Sequence, residues 1–329
     1  MQSGPLNATA EQPVAISVVV PVYNESANLP ELLAQLAAVL NGLGRSFEVV
    51  VVDDGSRDNS WQVLNLASAS APWLVALRLS RNFGHQHALL AGLTMARGAA
   101  VISMDGDLQH PPQVLPQLVA RWDAGDKVVF TRRVNEESLG WFKRLSSRLY
   151  YALFSWLSGV HIDTGSSDFR LLARQPLEQL LRFNDVDLFL RGAVQWLGFE
   201  ASSSTVEFSV SERHAGTSKY SLRRMLRLAS TGIVSFSRKP LLVGIWLGVL
   251  TSLLAFLELA YILYSYLRGA TVPGWASTVG IISFLFGVLF AILGVIGLYL
   301  ASIHSALQGR PRFIVAEVAT SRGGPGGGS

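Results

Sequence analysis

Three short acidic clusters contain residues that could do chemistry: Asp105-Gly106-Asp107, Asp53-Asp54-Gly55-Ser56 and Tyr23-Asn24-Glu25. Asp105 and Asp107, with the amide oxygen of Gln109, make an all-oxygen donor set of the kind Mg²⁺ or Mn²⁺ takes. Such an ion neutralises a diphosphate, on which negative charge develops as it departs from a sugar. A lone D-x-D is expected about once by chance in a chain of this length, so its weight comes from context. Asp53, Asp54 and Glu25 offer carboxylates to base N–H groups and ribose hydroxyls, which makes a nucleotide site of the three clusters together. The plainer alternative for each cluster is a solvated turn at the end of a strand. His85, His87, His110 and His214 match no metal-ligand spacing. Solvated or structural roles are expected for the first three, and contact with phosphate for His214.

The pattern between the clusters says what positions them. Apolar, β-branched runs at 16–22, 47–52, 74–79, 99–104 and 127–131 read as strands. Helical patterns occupy 29–41, 85–97 and 112–123, with a further helix after Asp58, which can cap it. Asn28 followed by Glu31 resembles a capping box. This alternation predicts an α/β domain with a mostly parallel, doubly wound sheet. Ligands of such sheets sit outside the carboxyl ends of the strands, and each acidic cluster directly follows a strand. Gly106 is expected to let backbone approach a ligand.

Composition adds a second environment. Of 329 residues, 50% are hydrophobic and only 15% charged, which points to a portion in lipid. The absence of cysteine excludes disulfides, zinc–thiolate sites and thiol nucleophiles. A net charge of +4 with clustered bases gives no reading toward nucleic acid. Residues 1–15 are polar, without a secretory pattern, and read as a flexible N-terminus. Residues 141–158 and 219–237 read as basic amphipathic helices at a membrane interface. Apolar runs at 241–267 and 275–303 are each long enough to span a bilayer, joined by a short turn. Arg238, Lys239, Arg310 and Arg312 flank this hairpin, whereas the turn has only Arg268. The charge asymmetry places both ends, the catalytic domain and the tail 304–329 in the cytoplasm. Glu258 is the sole acid in the spans and is expected near headgroups or against a neighbouring helix, beside Tyr261, Tyr264 and Tyr266. Gly244 with Gly248, and the heptad-spaced Gly280, Gly287 and Gly294, allow close helix packing within the hairpin or between subunits.

A resemblance becomes specific at the segments VVVPVYNES (18–26), VVDDGSRDNS (51–60), LSRNFGHQHALLAG (79–92), ISMDGDLQHPP (102–112), GSSDFRLL (165–172), FLRG (189–192) and SERHAGTSKYS (211–221). In this order and spacing they resemble the family 2 glycosyltransferases of GT-A fold. Within these they are similar to the polyisoprenyl-phosphate glycosyltransferases, among them dolichol-phosphate mannose synthase and the bacterial undecaprenyl-phosphate glucosyltransferases. The resemblance covers about residues 14–316. It implies that Pro21, Tyr23, Glu25 and Asp53 hold the nucleoside, and that Asp105 and Asp107, with Gln109, hold the metal and diphosphate. It implies acceptor-phosphate contacts for Arg133, Arg213, Ser218 and Lys219. Asp168 occupies the position of the family's proposed catalytic base. A phosphate monoester, with a second pKa near 6, is already largely ionised at neutral pH, so orienting the acceptor or the metal is the other role open to Asp168.

The activity so implied is metal-dependent, inverting transfer of a sugar from a nucleotide donor to undecaprenyl phosphate or a related lipid, at the cytoplasmic face of the inner or plasma membrane if the host is bacterial. The two-span hairpin resembles the glucosyltransferase subgroup, which implies UDP-glucose as donor and a homo-oligomer, a tetramer in some members. UDP-galactose, UDP-N-acetylhexosamine, GDP-mannose and amino-arabinose donors stay open, since small pocket differences decide among them. A processive polysaccharide synthase would carry a Q-x-x-R-W motif and more spans, and the chain has Gln195-Trp196 alone. A non-enzymatic nucleotide-sugar sensor or flippase component is the other class, against which the intact acidic clusters argue.

Overall fold

The computed structural model describes residues 13–133, 166–183, 190–209, 239–268 and 274–321. The amphipathic segments 141–158 and 219–237, residues 1–12, and Arg213, His214, Ser218 and Lys219 lie outside the described residues.

Strand β1 (Ile16–Val22), with all seven residues buried, lies at the centre of the sheet. It pairs in parallel with β2 (Phe47–Asp53) on one side and β4 (Ala100–Ser103) on the other. Outside β2 lies β3 (Leu74–Leu79), also parallel. Beyond β4 the direction reverses at β6 (Ser166–Ala173), which runs antiparallel to β4 and to β5 (Val128–Arg133). The edge strand β7 (Ser203–Phe208) runs parallel to β5. Pro21, in mid-strand, lacks an N–H for a ladder bond, but β4 stops pairing at Ser103, opposite Val19, so none is required on that side.

Both faces of the sheet are covered, which is why its strands read as continuous apolar runs. Val18, Val20, Val49, Val51 and Ile102 face α1 (Leu29–Gly42), α2 (Ser60–Ser70) and α4 (Leu115–Asp123). Val19, Val50, Val52 and Val101 face α3 (His85–Met95), α5 (Arg174–Leu181) and α6 (Leu190–Trp196). The mostly parallel, doubly wound arrangement expected from the strand–helix alternation is therefore present. The capping box is not: Asn28 makes no side-chain cap, and its amide instead donates to Glu25 Oε2 at 2.6 Å. Asp58 does receive the first N–H of α2, from Ser60 at 3.0 Å.

Two long helices follow, α7 (Lys239–Leu267) and α8 (Trp275–Leu307). At 1.5 Å per residue they reach about 44 and 50 Å, more than the roughly 30 Å of a hydrocarbon core. Both are strongly apolar along most of their length, and almost none of that surface is buried, with Trp246 and Phe256 of α7 at 72% and 67% exposure. Water is a poor solvent for such a surface. Gly244 and Gly248 face Ile292 of α8, whereas Gly280, Gly287 and Gly294 have open space beside them.

The expected tail contains a strand. After α8, β8 (Val315–Thr320) runs antiparallel along β3 and completes an eight-stranded sheet of order β7-β5-β6-β4-β1-β2-β3-β8. Ser80 N–H donates to Ile314 O at 2.9 Å at the start of this pairing. The catalytic sheet is thus built from chain on both sides of the hairpin.

Candidate active site

The loops after β1, β2, β3 and β4 meet at the carboxyl edge of the sheet. The first two are joined by side chains that accept and donate to backbone. Asn24 N–H donates to Ser56 Oγ at 2.8 Å, Arg57 N–H to Asn24 Oδ1 at 2.9 Å, and Glu25 N–H to Ser60 Oγ at 3.0 Å. Asp58 Oδ2 accepts from Ser26 N–H at 3.1 Å. Although burial works against it, these bonds from Ser60 and Ser26 bring the Asp58 pKa down to about 2. Asn24 takes a φ of 56°, a left-handed conformation that asparagine tolerates better than most residues. Tyr23 next to it is 39% exposed. Glu25 is half-buried, and burial, reinforced by the charges of Asp107 and Asp58, pushes its pKa up against the bond from Asn28.

Asp53 and Asp54 are neighbours with different uses. Asp53 is fully buried; Oδ1 accepts from Ser56 N–H at 2.9 Å, and Oδ2 has no hydrogen-bond partner among the described residues. Asp54 turns the other way and holds the loop after β3, accepting from Phe83 N–H at 2.7 Å and Gly84 N–H at 2.9 Å. Burial raises its pKa despite these two bonds. The nucleotide contact expected of Asp54 would have to use lone pairs beyond these two bonds, since each oxygen already accepts one backbone N–H. Gly55 has a φ of 66°, and a Cβ there would lie 2.6 Å from Arg81 C, so the turn and the β3 loop fit only around glycine.

Asp105, Gly106 and Asp107 follow β4. Asp105 Oδ1 is buried and, among the described residues, accepts no hydrogen bond. Its backbone N–H donates to His110 Nδ1 at 3.0 Å, which leaves the ring proton on Nε2, 2.9 Å from Ser167 Oγ. Burial lowers the His110 pKa, so the ring is neutral, stacked on Phe169 at 5.0 Å between centroids. Asp107 accepts from Gln109 N–H at 3.1 Å and Gln109 Nε2 at 2.8 Å. Gln109 Oε1 in turn accepts from Arg133 Nη2 at 2.9 Å. A carbonyl oxygen has two lone pairs, so one remains for a cation. Leu108 between them has a φ of 62°, a strained value for leucine of the sort found at binding loops. The glycine at 106 is required by packing: a Cβ would lie 2.5 Å from Val22 Cγ1.

Asp168, at the start of β6, is 3% exposed and surrounded by donors. Oδ1 accepts from Arg170 Nη2 at 2.7 Å and Arg191 Nε at 3.0 Å. Oδ2 accepts from Arg191 Nη2 at 2.9 Å and Gln86 Nε2 at 3.2 Å. Burial opposes ionisation, but Arg191, His85 and Arg170 hold the carboxyl well below the usual range. His85 Nε2 lies 3.3 Å from Asp105 Oδ1 and 3.7 Å from Asp168 Oδ2, joining this group to the loop after β4. Burial lowers the His85 pKa, yet Asp168 and Asp105 outweigh it and the net shift is upward.

The structure thus gathers Tyr23, Glu25, Asp53, Asp105, Asp107, Gln109, Arg133 and Asp168 at one sheet edge, with Pro21 buried in β1 behind them. Arg191, Arg170 and Gln86 are not singled out by the residue pattern, and His85 is read there only as solvated or structural. Arg191 lies in FLRG and His85 and Gln86 in FGHQ, segments that carry the resemblance, and these were the available signals.

A family model described as "Glycosyl transferase family 2" matches residues 17–181. An uncharacterized glycosyltransferase, YkcC, of Bacillus subtilis (strain 168) is 36% identical over 92% of this chain and 93% of its own. A bactoprenol glucosyl transferase of Shigella phage SfII is 35% identical over 94% of this chain and 99% of its own. Among solved structures, glucosyl-3-phosphoglycerate synthase from Mycobacterium tuberculosis, in complex with Mn²⁺, UDP-Glc and phosphoglyceric acid, aligns with a TM-score of 0.44 at 20% identity, covering 67% of this chain and 78% of that one.

Proposed function

This chain belongs to glycosyl transferase family 2, and we propose that it transfers a hexose, glucose from UDP-glucose, to a polyisoprenyl phosphate at the cytoplasmic face of a membrane, with inversion at the anomeric carbon. The observation that carries this reading is a pair of buried carboxylate oxygens without hydrogen-bond donors, Asp53 Oδ2 and Asp105 Oδ1, at one sheet edge. Burying an acceptor unsatisfied costs free energy that a bound ligand recovers. Asp53 suits a base N–H or a ribose hydroxyl, with Tyr23 and Glu25 beside it. Asp105 suits a divalent cation. Among the described residues no three His, Asp or Glu side chains form a metal cage, so Asp105 and Asp107, with Gln109 Oε1, would supply the protein's share and the diphosphate the rest, as Mg²⁺ favours. When bound, Mg²⁺ or Mn²⁺ supplies charge neutralisation on the diphosphate.

In the proposed reaction an oxygen of the lipid phosphate forms a bond to the anomeric carbon. The bond from that carbon to the diphosphate oxygen breaks, and its electron pair leaves with the nucleoside diphosphate. Arg133, held by Gln109, faces the acceptor phosphate, with Arg213, Ser218 and Lys219 assigned to the same phosphate by resemblance. No proton needs to be removed from an acceptor that is already ionised. Asp168 fits a base poorly, with four donors on its oxygens and a depressed pKa. It acts instead as the anion that holds Arg191, which is 39% exposed, toward the reacting groups. The relatives named bactoprenol glucosyl transferase support the lipid acceptor and glucose.

The hairpin supports the location. β8 returns to β3 after α8, which keeps both hairpin ends on the side of the catalytic domain, and the bases at 238, 239, 310 and 312 favour the cytoplasm for that side. The open stripe of Gly280, Gly287 and Gly294 supports helix packing between copies, in a homo-oligomer such as a tetramer.

The test is transfer from a panel of radiolabelled nucleotide sugars to undecaprenyl phosphate in detergent with Mg²⁺ or Mn²⁺, against Asp107→Ala. Labelled lipid from UDP-glucose, absent without metal and in the variant, is expected. Label from another donor would reassign the sugar, and no lipid product from any donor would sink the lipid acceptor.

A further inference from the structure

Strand β8 brings one acidic side chain into a row that ends at the donor site. Asp53 of β2, Arg78 of β3 and Glu317 of β8 are successive register partners across three adjacent strands, so their side chains leave the same face of the sheet. Glu317 Oε1 accepts from Arg78 Nη1 at 2.7 Å, and Oε2 accepts from the indole Nε1–H of Trp61 at 3.1 Å. Trp61 is buried, so Glu317 satisfies a donor that would otherwise be stranded. The Arg78 guanidinium carbon lies 5.8 Å from the centroid of the Trp61 ring. On its other side, Arg78 Nε stands 3.8 Å from Asp53 Oδ2, too far for a hydrogen bond.

Arg78 therefore has two carboxylates within reach and is bonded to one. Asp53 Oδ2 is the more deeply buried, where an unscreened charge attracts strongly. A movement of the guanidinium by about 1 Å would close a charge-assisted bond to it. That bond would occupy the acceptor that a base or ribose needs. We infer that Glu317 is a positioning residue of the donor site: by holding Arg78 against Trp61, it keeps Asp53 Oδ2 available to the nucleoside. The inference rests on the reading of Asp53 as a nucleoside ligand. It also makes donor binding depend on chain that follows the hairpin, since Glu317 reaches this row only when β8 is paired with β3.

The experiment is titration of full-length protein in detergent with UDP and with GDP, for wild type, Glu317→Gln, Arg78→Gln, the double variant and Asp53→Asn. Glutamine keeps an acceptor for Trp61, and melting by tryptophan fluorescence checks that β8 stays docked. Glu317→Gln is expected to weaken nucleotide binding about five-fold, with the KM for lipid acceptor unchanged. Arg78→Gln, which removes the competitor, should bind within about two-fold of wild type, and so should the double variant. The inference is overturned if Glu317→Gln binds like wild type. A loss that persists in the double variant also overturns it, because the role is then packing around Trp61. Arg78→Gln as weak as Glu317→Gln overturns it too, because the guanidinium is then itself a ligand. Asp53→Asn separates this inference from the reading beneath it: normal binding by that variant, or no binding of either nucleotide by wild type, overturns the donor-site reading and the inference together. Loss in Asp53→Asn without loss in Glu317→Gln overturns the inference alone.

Discussion

On the side of the sheet edge built by β1, β2 and β4, Asp53 and Asp105 each keep a buried oxygen with no hydrogen-bond partner among the described residues. At the neighbouring end of β6, Asp168 is just as buried, yet four donors from Arg170, Arg191 and Gln86 fill its two oxygens. The two regions spend their carboxylates differently. An open oxygen has a basic group nearby, His85 Nε2 at 3.3 Å from Asp105 Oδ1 and Arg78 Nε at 3.8 Å from Asp53 Oδ2, but no hydrogen bond, and so keeps acceptor capacity for a ligand. A filled one orients cations and adds no acceptor. Asp53 and Asp54 make the contrast within one dipeptide, because successive residues leaving a strand point to opposite sides. One keeps a buried oxygen without a hydrogen bond, and the other fastens the loop after β3.

The comparison breaks most readily at Asp105 and Asp107. Asp105→Asn and Asp107→Ala are each expected to lower kcat/KM by at least about 10³-fold, roughly 4 kcal/mol of transition-state stabilisation. Asp105→Asn should leave the melting temperature within a few degrees of wild type, since Oδ1 loses the 3.3 Å pairing with His85 Nε2 but no protein hydrogen bond. Steady-state kinetics and thermal melting of the same preparations check both. An active Asp105→Asn protein would show that the open oxygen is not a ligand site.

Next in size is Asp168→Asn. Removing one partner from a buried ion pair strands the other, at about 3–5 kcal/mol, and Arg170 is 3% exposed. A drop in kcat of about 10²-fold is expected from the loss of Arg191 positioning. Because the folded pKa is depressed, the stability contributed by Asp168 is present above the ordinary carboxylate pKa of 3.8 and is lost as pH falls below it. A base would behave otherwise. If the loss in kcat came from a missing base, it would shrink where hydroxide competes, at high pH. A ratio of wild-type to variant kcat that is constant from pH 6 to pH 9 is the expected result.

This difference between filled and open acids was not legible in the sequence, although the strands that place them were. β1, β2 and β4 announced themselves as apolar runs because both faces of the sheet are covered, and the acidic clusters follow them directly. β6 contains Asp168 and Arg170 in its interior, so its SSDFR stretch has the polarity of a loop even though it is a central strand. β8 is short, has half-exposed residues and follows an apolar helix, which made residues 315–320 read as tail. Spacing could name Asp54 beside Asp53 as a ligand, but only the path of the β3 loop determines that its oxygens meet Phe83 and Gly84. The same holds for Gly106, whose glycine requirement comes from Val22 on another strand.

Substitutions that disturb the frame behind the open oxygens sharpen the comparison with a smaller effect. Gly106→Ala would place a methyl 2.5 Å from Val22 Cγ1 and displace the loop from β1. Overpacking of this kind costs about 1–3 kcal/mol. The expected result is about a ten-fold rise in the metal concentration for half-maximal activity, with smaller change in the KM for lipid acceptor. Asp54→Asn should act similarly on donor KM through the β3 loop, leaving one of its two backbone donors poorly satisfied.

The smallest expected effect belongs to Asp58, a filled carboxylate on the open side. Its oxygens accept from Ser60 N–H, Ser60 Oγ and Ser26 N–H, tying the first turn of α2 to the loop that contains Glu25. It touches neither Asp53 nor Asp105, so if filled acids are purely organisational, Asp58→Asn should leave donor KM within about two-fold. Its folded pKa, about 2 against an ordinary 3.8, gives its stability contribution a sign and a window. The contribution is present above pH 3.8 and is lost as pH falls toward 2. Solvent screening limits it to about 1 kcal/mol. Chemical denaturation of wild type and variant in detergent should therefore give a gap of about 1 kcal/mol at pH 7 that narrows between pH 4 and pH 2. A gap of equal size at both ends would mean that shape rather than charge holds the two loops together. A large rise in donor KM would erase the line between the acids that bind and the acids that brace.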